Sequence, residues 1–299
     1  MPVSQLPEFI VIGAVKGATT WIAHQLRQHP QLWLPDAEPH YFSTRYEHGL
    51  DWYAGLFDAA PAGRIVGEKS ADYLASPDAP ARIAALLPDV RLIAQLRDPV
   101  ERAYSDYCML FRRGEVDGDL RRCLLRSDGA GARFLDGGRY ADHLDRWFAN
   151  LPRSAVKVLL YDDVCSDPET VIDEVCTHIG VETHLAPAEI ASRRNDSRAE
   201  PLPLALRRAL KPIRPIIEPL RNIAWLGRAR AALAKPVAYP PLTEEIRAML
   251  RAYYRDDIGR LETLIDRDLS AWCGGVATVA REMGVVNAEP AQPQPWSAS

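Results

Sequence analysis

Lys16 stands in the run Val15-Lys16-Gly17-Ala18-Thr19-Thr20, where an apolar segment breaks at Gly13 and a helical pattern begins. Residues of these types in this order suit the binding of a phosphate-like anion. Small side chains let backbone N–H groups approach the anion, the first turn of the helix carries partial positive charge, and one lysine adds a full one. The order is not that of a Walker A loop, which ends Gly-Lys-Ser/Thr with the hydroxyl on Mg²⁺; here Lys16 precedes Gly17 and two threonines close the turn. A second cation, Arg97, ends the run VRLIAQL just before Asp98-Pro99 and a renewed helical pattern. That places it at the carboxyl edge of a sheet, the edge where open parallel sheets bind ligands.

The elements that must position these cations follow from the hydrophobic pattern. Apolar runs of strand length recur at Phe9–Ile12, Arg64–Val66, Val90–Leu96 and Val156–Tyr161, most of them followed by a segment of helical period. The reading is α/β, a P-loop-like three-layer fold with a central parallel sheet flanked by helices. Helices are expected after Pro77, over VERAYSDYCMLFRR, over Arg139 to Phe148, over Pro168 to Ile179 and over LTEEIRAMLRAYYRDDIGRLETLI. From 201 to 236 the composition turns basic and proline-interrupted, with eight cations opposed by Glu218, and reads either as a lid or as a solvated surface segment. Residues 1–280 are expected to form one domain, and the Pro- and Ala-rich 281–299 a disordered tail.

Composition narrows the function classes. The 299 residues are 47% apolar, with a formal charge of −4 and a pI near 6.0, so general nucleic-acid binding is disfavoured and any anion site must be a local concentration of cations. Cys108, Cys123, Cys165, Cys176 and Cys273 are scattered and contain no CxxC pair, which fits reduced thiols acting as buried apolar filler. With no stretch long enough to span a bilayer, a cytoplasmic location is expected, and peripheral contact with a membrane or amphiphile stays open.

The loop VKGATTWIAHQLRQHP, the segment AEPHYF, GLDWYAGLF, GEKSADYL and LIAQLRDPVERAYSDY occur in an order and spacing that resemble the sulfotransferases using 3′-phosphoadenosine 5′-phosphosulfate (PAPS). The likeness runs from about Pro7 to Trp272 and is strongest to bacterial members and the heparan-type branch. It implies that Lys16, Gly17, Ala18, Thr19 and Thr20 hold the 5′-phosphosulfate, with Lys16 at the leaving oxygen. It further implies that Arg97 and Ser105 grip the 3′-phosphate, that Lys69 lies beside the sulfuryl group, and that Glu38 in Glu38-Pro39-His40-Tyr41-Phe42 is the general base. His40 is the rival base, since the small-molecule branch uses histidine; if this stretch is extended, both side chains point the same way. An internal ion pair of Glu68 with Lys69, or of Asp98 with Arg102, is the plainer structural role for those residues.

The implied reaction is sulfuryl transfer to a hydroxyl, or less readily an amine, of a carbohydrate, glycolipid or other small acceptor, without metal. Departures from the pattern are Lys235, which has no arginine after it where the heparan-type enzymes close on the donor, and Met109, where the N-sulfotransferases carry a histidine. The competing readings are a nucleotide-dependent kinase and a catalytically silent binder of the product, 3′-phosphoadenosine 5′-phosphate (PAP). Trp21, Trp52, Tyr73 and Phe111 either line an acceptor pocket or pack the core.

Overall fold

A computed structural model describes residues 5–125, 129–183 and 237–274. The basic segment 201–236 with Lys235, and the tail 281–299, lie outside the described residues. Among those described, five strands form one parallel sheet in the order β2-β3-β1-β4-β5: β1 Phe9–Gly13, β2 Leu32–Trp33, β3 Ile65–Lys69, β4 Arg91–Leu96 and β5 Val156–Leu160. The four apolar runs read from the sequence are strands, and β2 is an addition too short to show a pattern. Both faces of the sheet are covered, as parallel sheets require. Phe9, Val11 and Ile93 pack on one side against α1 (Thr19–Gln28), through Ile22, Ala23 and Leu26. Ile10, Ile12, Leu92 and Ala94 face the larger core on the other side.

That larger core is walled by α2 (Leu50–Gly55), α3 (Ala79–Leu86), α4 (Pro99–Arg113), α5 (Leu120–Leu124), α6 (Gly129–Asp136) and α7 (Tyr140–Phe148). After β5 the chain enters α8 (Tyr161–Ser166) and α9 (Pro168–Ile179), whose Val171, Val175 and Ile179 join α1 on the first face. The long α10 (Glu244–Ile265) returns to the larger core with Leu250, Tyr254, Ile258 and Leu261 buried. The Asp98 carboxylate caps α4, accepting from the Val100 and Glu101 amides at 2.8 and 3.3 Å, and Pro99 opens the helix where its missing N–H costs nothing. Asp98 therefore braces the turn as a cap and forms no ion pair with Arg102. Arg102 is buried instead against the Phe134 carbonyl and lies 3.8 Å from Asp106.

Packing is tight where the central strands meet. A Cβ on Gly67 would collide with the Phe9 ring on the neighbouring strand, so glycine is what lets β3 lie beside β1 there. The cysteines depart from the filler expectation: Cys176 alone is buried, Cys108 and Cys123 are half-buried, and Cys165 and Cys273 are exposed. No helix of the described residues is long and apolar enough to cross a membrane.

β3 also buries a carboxyl group. Glu68, on the larger-core face, is fully enclosed and accepts hydrogen bonds from Tyr53 Oη at 2.6 Å, Ser70 Oγ at 2.9 Å and Tyr73 Oη at 3.3 Å. Burial pushes its pKa up to about 7 despite these donors. A carboxyl whose folded pKa is raised stabilises the fold fully at low pH and loses that contribution as pH climbs through the folded value. For Glu68 the window runs from about 4.5 to about 7, and the difference is on the order of 3 kcal/mol. Glu68→Gln, neutral at every pH, is therefore expected to flatten the fall in melting temperature between about pH 5 and 8; an unchanged slope in thermal melts would contradict the assignment.

Candidate functional site

The chain turns sharply between β1 and α1. Lys16 and Ala18 both adopt left-handed backbone conformations, with φ of 69° and 67°, and the Gly17 amide donates to the Ala14 carbonyl at 2.9 Å. The Ala14 amide in turn donates to the Gln95 carbonyl on β4 at 2.8 Å, which pins the loop to the neighbouring strand. Gly17 packs so closely on that same carbonyl that a Cβ would collide with it. The loop thus wraps the start of α1, where Thr19 is buried and Thr20 half-buried. Burial is the chief cause holding the Lys16 ammonium below its usual pKa; Asp106 opposes this, and Arg97 and Arg113 reinforce it. Arg97 and Arg113 are therefore each near enough to repel Lys16, a concentration of positive charge that suits an anion site.

A carboxylate and a second lysine lie beside this loop. Lys69, the last residue of β3 and only 7% exposed, places Nζ 2.6 Å from Glu38 Oε1 and 3.3 Å from Thr20 Oγ1. Its neighbour Glu68 faces the other side of the strand, so the expected Glu68–Lys69 pair does not form; successive residues of a strand point to opposite faces. The second Glu38 oxygen, Oε2, accepts from the Ala71 amide at 3.1 Å and lies 4.0 Å from His40 Nε2. His40 Nδ1 is 2.6 Å from Asp72 Oδ1, and Asp72 Oδ2 accepts from Ser43 Oγ at 2.5 Å. The hydrogen bond that His40 Nδ1–H donates to Asp72 is the main cause raising the His40 pKa.

Glu38 and His40 do bring their side chains together, Oε2 and Nε2 lying 4.0 Å apart, for a reason other than the expected extended strand. His40 takes a left-handed φ of 53°, and the chain turns through residues 41–44. Its amide donates to Ser70 Oγ at 2.9 Å, tying the turn to the segment after β3.

The remaining predicted residues sit across the sheet. Arg97 follows β4 directly, its guanidinium 4.8 Å from the centre of the Tyr161 ring and its carbonyl accepting from Tyr140 Oη at 2.8 Å. Ser105 is half-buried about two turns into α4. Beside it, fully buried Asp106 receives two hydrogen bonds of 2.9 Å from Arg133. Of the aromatic residues, Tyr73 belongs to the core, while Trp52 is half-buried and stacks on His48 with ring centroids 4.6 Å apart.

Asp72, Ser43 and Asp106 are the residues of this region that the sequence reading did not single out. Asp72 lies in the quoted segment GEKSADYL, and an acid three residues past Lys69 was the available signal.

Comparison with known proteins gives a consistent pattern. The profile described as the sulfotransferase family matches residues 51–184. Heparan sulfate glucosamine 3-O-sulfotransferase 3A1 of Mus musculus is 29% identical over 90% of this chain and 65% of its own length. The 3B1 enzyme of the same organism is 34% identical over 59% of this chain and 47% of its own. The bifunctional heparan sulfate N-deacetylase/N-sulfotransferase 3 of Mus musculus is 30% identical over 88% of this chain and 30% of its own. The chain thus spans less than two thirds of the length of each of these relatives. Among solved structures, a sulfotransferase from Alicyclobacillus acidocaldarius superposes with a TM-score of 0.67 at 26% identity, covering 90% of this chain and 99% of that one.

Proposed function

We propose, from the premise that this chain belongs to the sulfotransferase family, that it transfers the sulfuryl group of PAPS to a hydroxyl of a carbohydrate, glycolipid or other small acceptor. The observation that carries the reading is the position of Lys69. Its ammonium group bridges Thr20 of the anion loop and the Glu38 carboxylate, tying the group that would accept a proton to the loop that would hold the donor.

In this reading the loop from Lys16 to Thr20 binds the 5′-phosphosulfate, and the acceptor oxygen attacks sulfur in line. The new S–O bond forms as the bond to the bridging oxygen breaks. The electron pair of that bond leaves with PAP, where Lys16 offsets the growing charge, and the acceptor proton passes to Glu38 Oε2. Such a transfer needs placement and charge stabilisation rather than a covalent intermediate. Lys69 supports charge on the sulfuryl oxygens and holds Glu38 in place through Oε1. Arg97 and Ser105 hold the 3′-phosphate, and Lys235 is assigned to donor closure.

No metal is assigned a role. Glu38, His40 and Asp72 bring ligand-type atoms within 4.8 Å of one another, but Lys69 Nζ already supplies a positive charge 2.6 Å from Glu38. Turnover is accordingly expected to persist in chelator, whereas a kinase would stop. A cytoplasmic location, with the cysteines reduced, belongs to the same proposal.

Binding calorimetry tests the donor half. PAP is expected to bind more tightly than AMP by at least about 1.5 kcal/mol, the scale of one charge-assisted contact to the 3′-phosphate. Arg97→Ala should weaken PAP selectively and leave AMP nearly unchanged. Equal affinities for the two nucleotides would remove the 3′-phosphate assignment. For the acceptor half, cell extracts with and without the protein, supplied with isotopically labelled sulfate, should differ in a labelled product; a PAP-binding protein that labels nothing would support the silent regulator.

A further inference from the structure

We propose that Asp72 is a positioning residue of the transfer site, holding His40 so that its Nε2 and Glu38 Oε2 together seat the acceptor's nucleophilic oxygen. The inference rests on the reading of Glu38 as the base. Asp72 follows β3 in the segment that also supplies Ser70 and the Ala71 amide, and these three residues fix the Glu38–His40 turn from one side. The Ala71 amide holds Glu38 Oε2 at 3.1 Å, Ser70 Oγ accepts the His40 amide at 2.9 Å, and Asp72 Oδ1 takes His40 Nδ1 at 2.6 Å. The other oxygen of Asp72 is occupied by Ser43, whose hydroxyl also lies 3.2 Å from the His40 carbonyl. The carboxylate therefore grips the turn at two points, and His40 keeps its left-handed conformation, unfavourable for a residue with a Cβ.

With Nδ1–H given to Asp72, the ring presents Nε2 toward Glu38, as a carboxylate orients a histidine in other transfer sites. The 4.0 Å between Nε2 and Oε2 is too long for a direct hydrogen bond. It is the right span for one oxygen lying about 2.8 Å from each, close to the ordinary hydrogen-bond length. An acceptor hydroxyl in that position is aligned by His40 and faces the oxygen that takes its proton. The charged groups that bear on His40 are Asp72 and Glu38, which favour its imidazolium form, and Arg45, which opposes it.

The plainer possibility is that Asp72 only staples the turn to β3, and the test separates the two. Asp72→Asn keeps the shape and can still accept from Ser43, so the turn is expected to survive. In the full chain saturated with PAP, NMR titration of labelled histidine rings should show the His40 pKa lowered in Asp72→Asn. With water as the acceptor, PAP release from PAPS should slow about tenfold or more, a mild form of the loss that follows removal of a histidine's orienting carboxylate, at unchanged KM for PAPS. In a His40→Asn background the same substitution should add nothing, and the limb of the pH–rate profile that His40→Asn abolishes should move to lower pH in Asp72→Asn. An equal cost in both backgrounds, or an unshifted ring titration, would overturn the proposal. The titration decides the Asp72–His40 link whether or not sulfuryl is transferred, so failure of the proposed function reads separately, as PAP bound and PAPS unconsumed.

Discussion

Glu38→Gln is expected to lower sulfuryl transfer by about 10² to 10⁴, the range of general-base catalysis, while PAP still binds. The substitution preserves length and shape and can keep the Ala71 contact, yet the amide cannot accept the acceptor's proton. It also leaves Lys69 without its anionic partner at 2.6 Å, so part of the loss comes from a lysine freed to shift. Single-turnover measurements separate the two contributions, because a misplaced Lys69 alters donor handling whereas a missing base slows only the chemical step. His40→Asn should cost less, since the carboxylate remains. The reverse ranking would make His40 the base, with Asp72 as its orienting partner and Glu38 as the bystander.

Lys16→Ala is expected to reduce turnover at saturating PAPS by about a hundredfold or more, the loss that follows removal of one strong transition-state donor. Burial makes this lysine unusually consequential. Its ammonium is held below the usual pKa because it is partly desolvated and shares the region with Arg97 and Arg113, and in the proposed transfer the negative charge developing on the bridging oxygen would relieve that cost. The fold should tolerate the change, because the loop is fixed by backbone hydrogen bonds to Ala14 and Gln95 rather than by the lysine side chain. Near-normal turnover in a protein with an unchanged melting curve would remove Lys16 from the leaving-group role. Gly17 is a different kind of loop residue: with its Cα against the Gln95 carbonyl, any side chain there should displace the loop itself.

Much of this arrangement is legible in the sequence because it is local. β1, β3, β4 and β5 are short apolar runs, and the cations at their ends follow from where those runs stop. Helix α4 announces itself through Asp98-Pro99, a cap followed by a residue suited to the first turn. What is not legible depends on contacts between distant segments. Glu38 meets Lys69 across 31 residues, and His40 meets Asp72 across 32. Nothing in the local pattern of residues 36–44 indicates a left-handed His40, and an extended reading gives the right convergence for the wrong reason. The apolar run over Val156–Tyr161 extends one residue past β5, because Tyr161 continues the run while its backbone already belongs to α8. Likewise β2, at two residues, borrows its extended form from pairing with β3 rather than from its own composition.

The order of the strands divides labour across the protein. Lys69, the β1–α1 loop and Arg97 emerge from β3, β1 and β4, three adjacent strands, so the sheet acts as a ruler whose graduations are about 4.8 Å apart. The groups proposed to grip the donor are ruled onto its centre and far half, where β1 and β4 are hydrogen-bonded on both sides and cannot slide. The groups proposed to meet the acceptor hang from the near end, after β2, a strand of two residues at the margin. Insertions and substitutions there would remodel the proposed acceptor side without moving the graduations that measure the proposed donor side, so the two halves of the proposed reaction can vary independently on this scaffold.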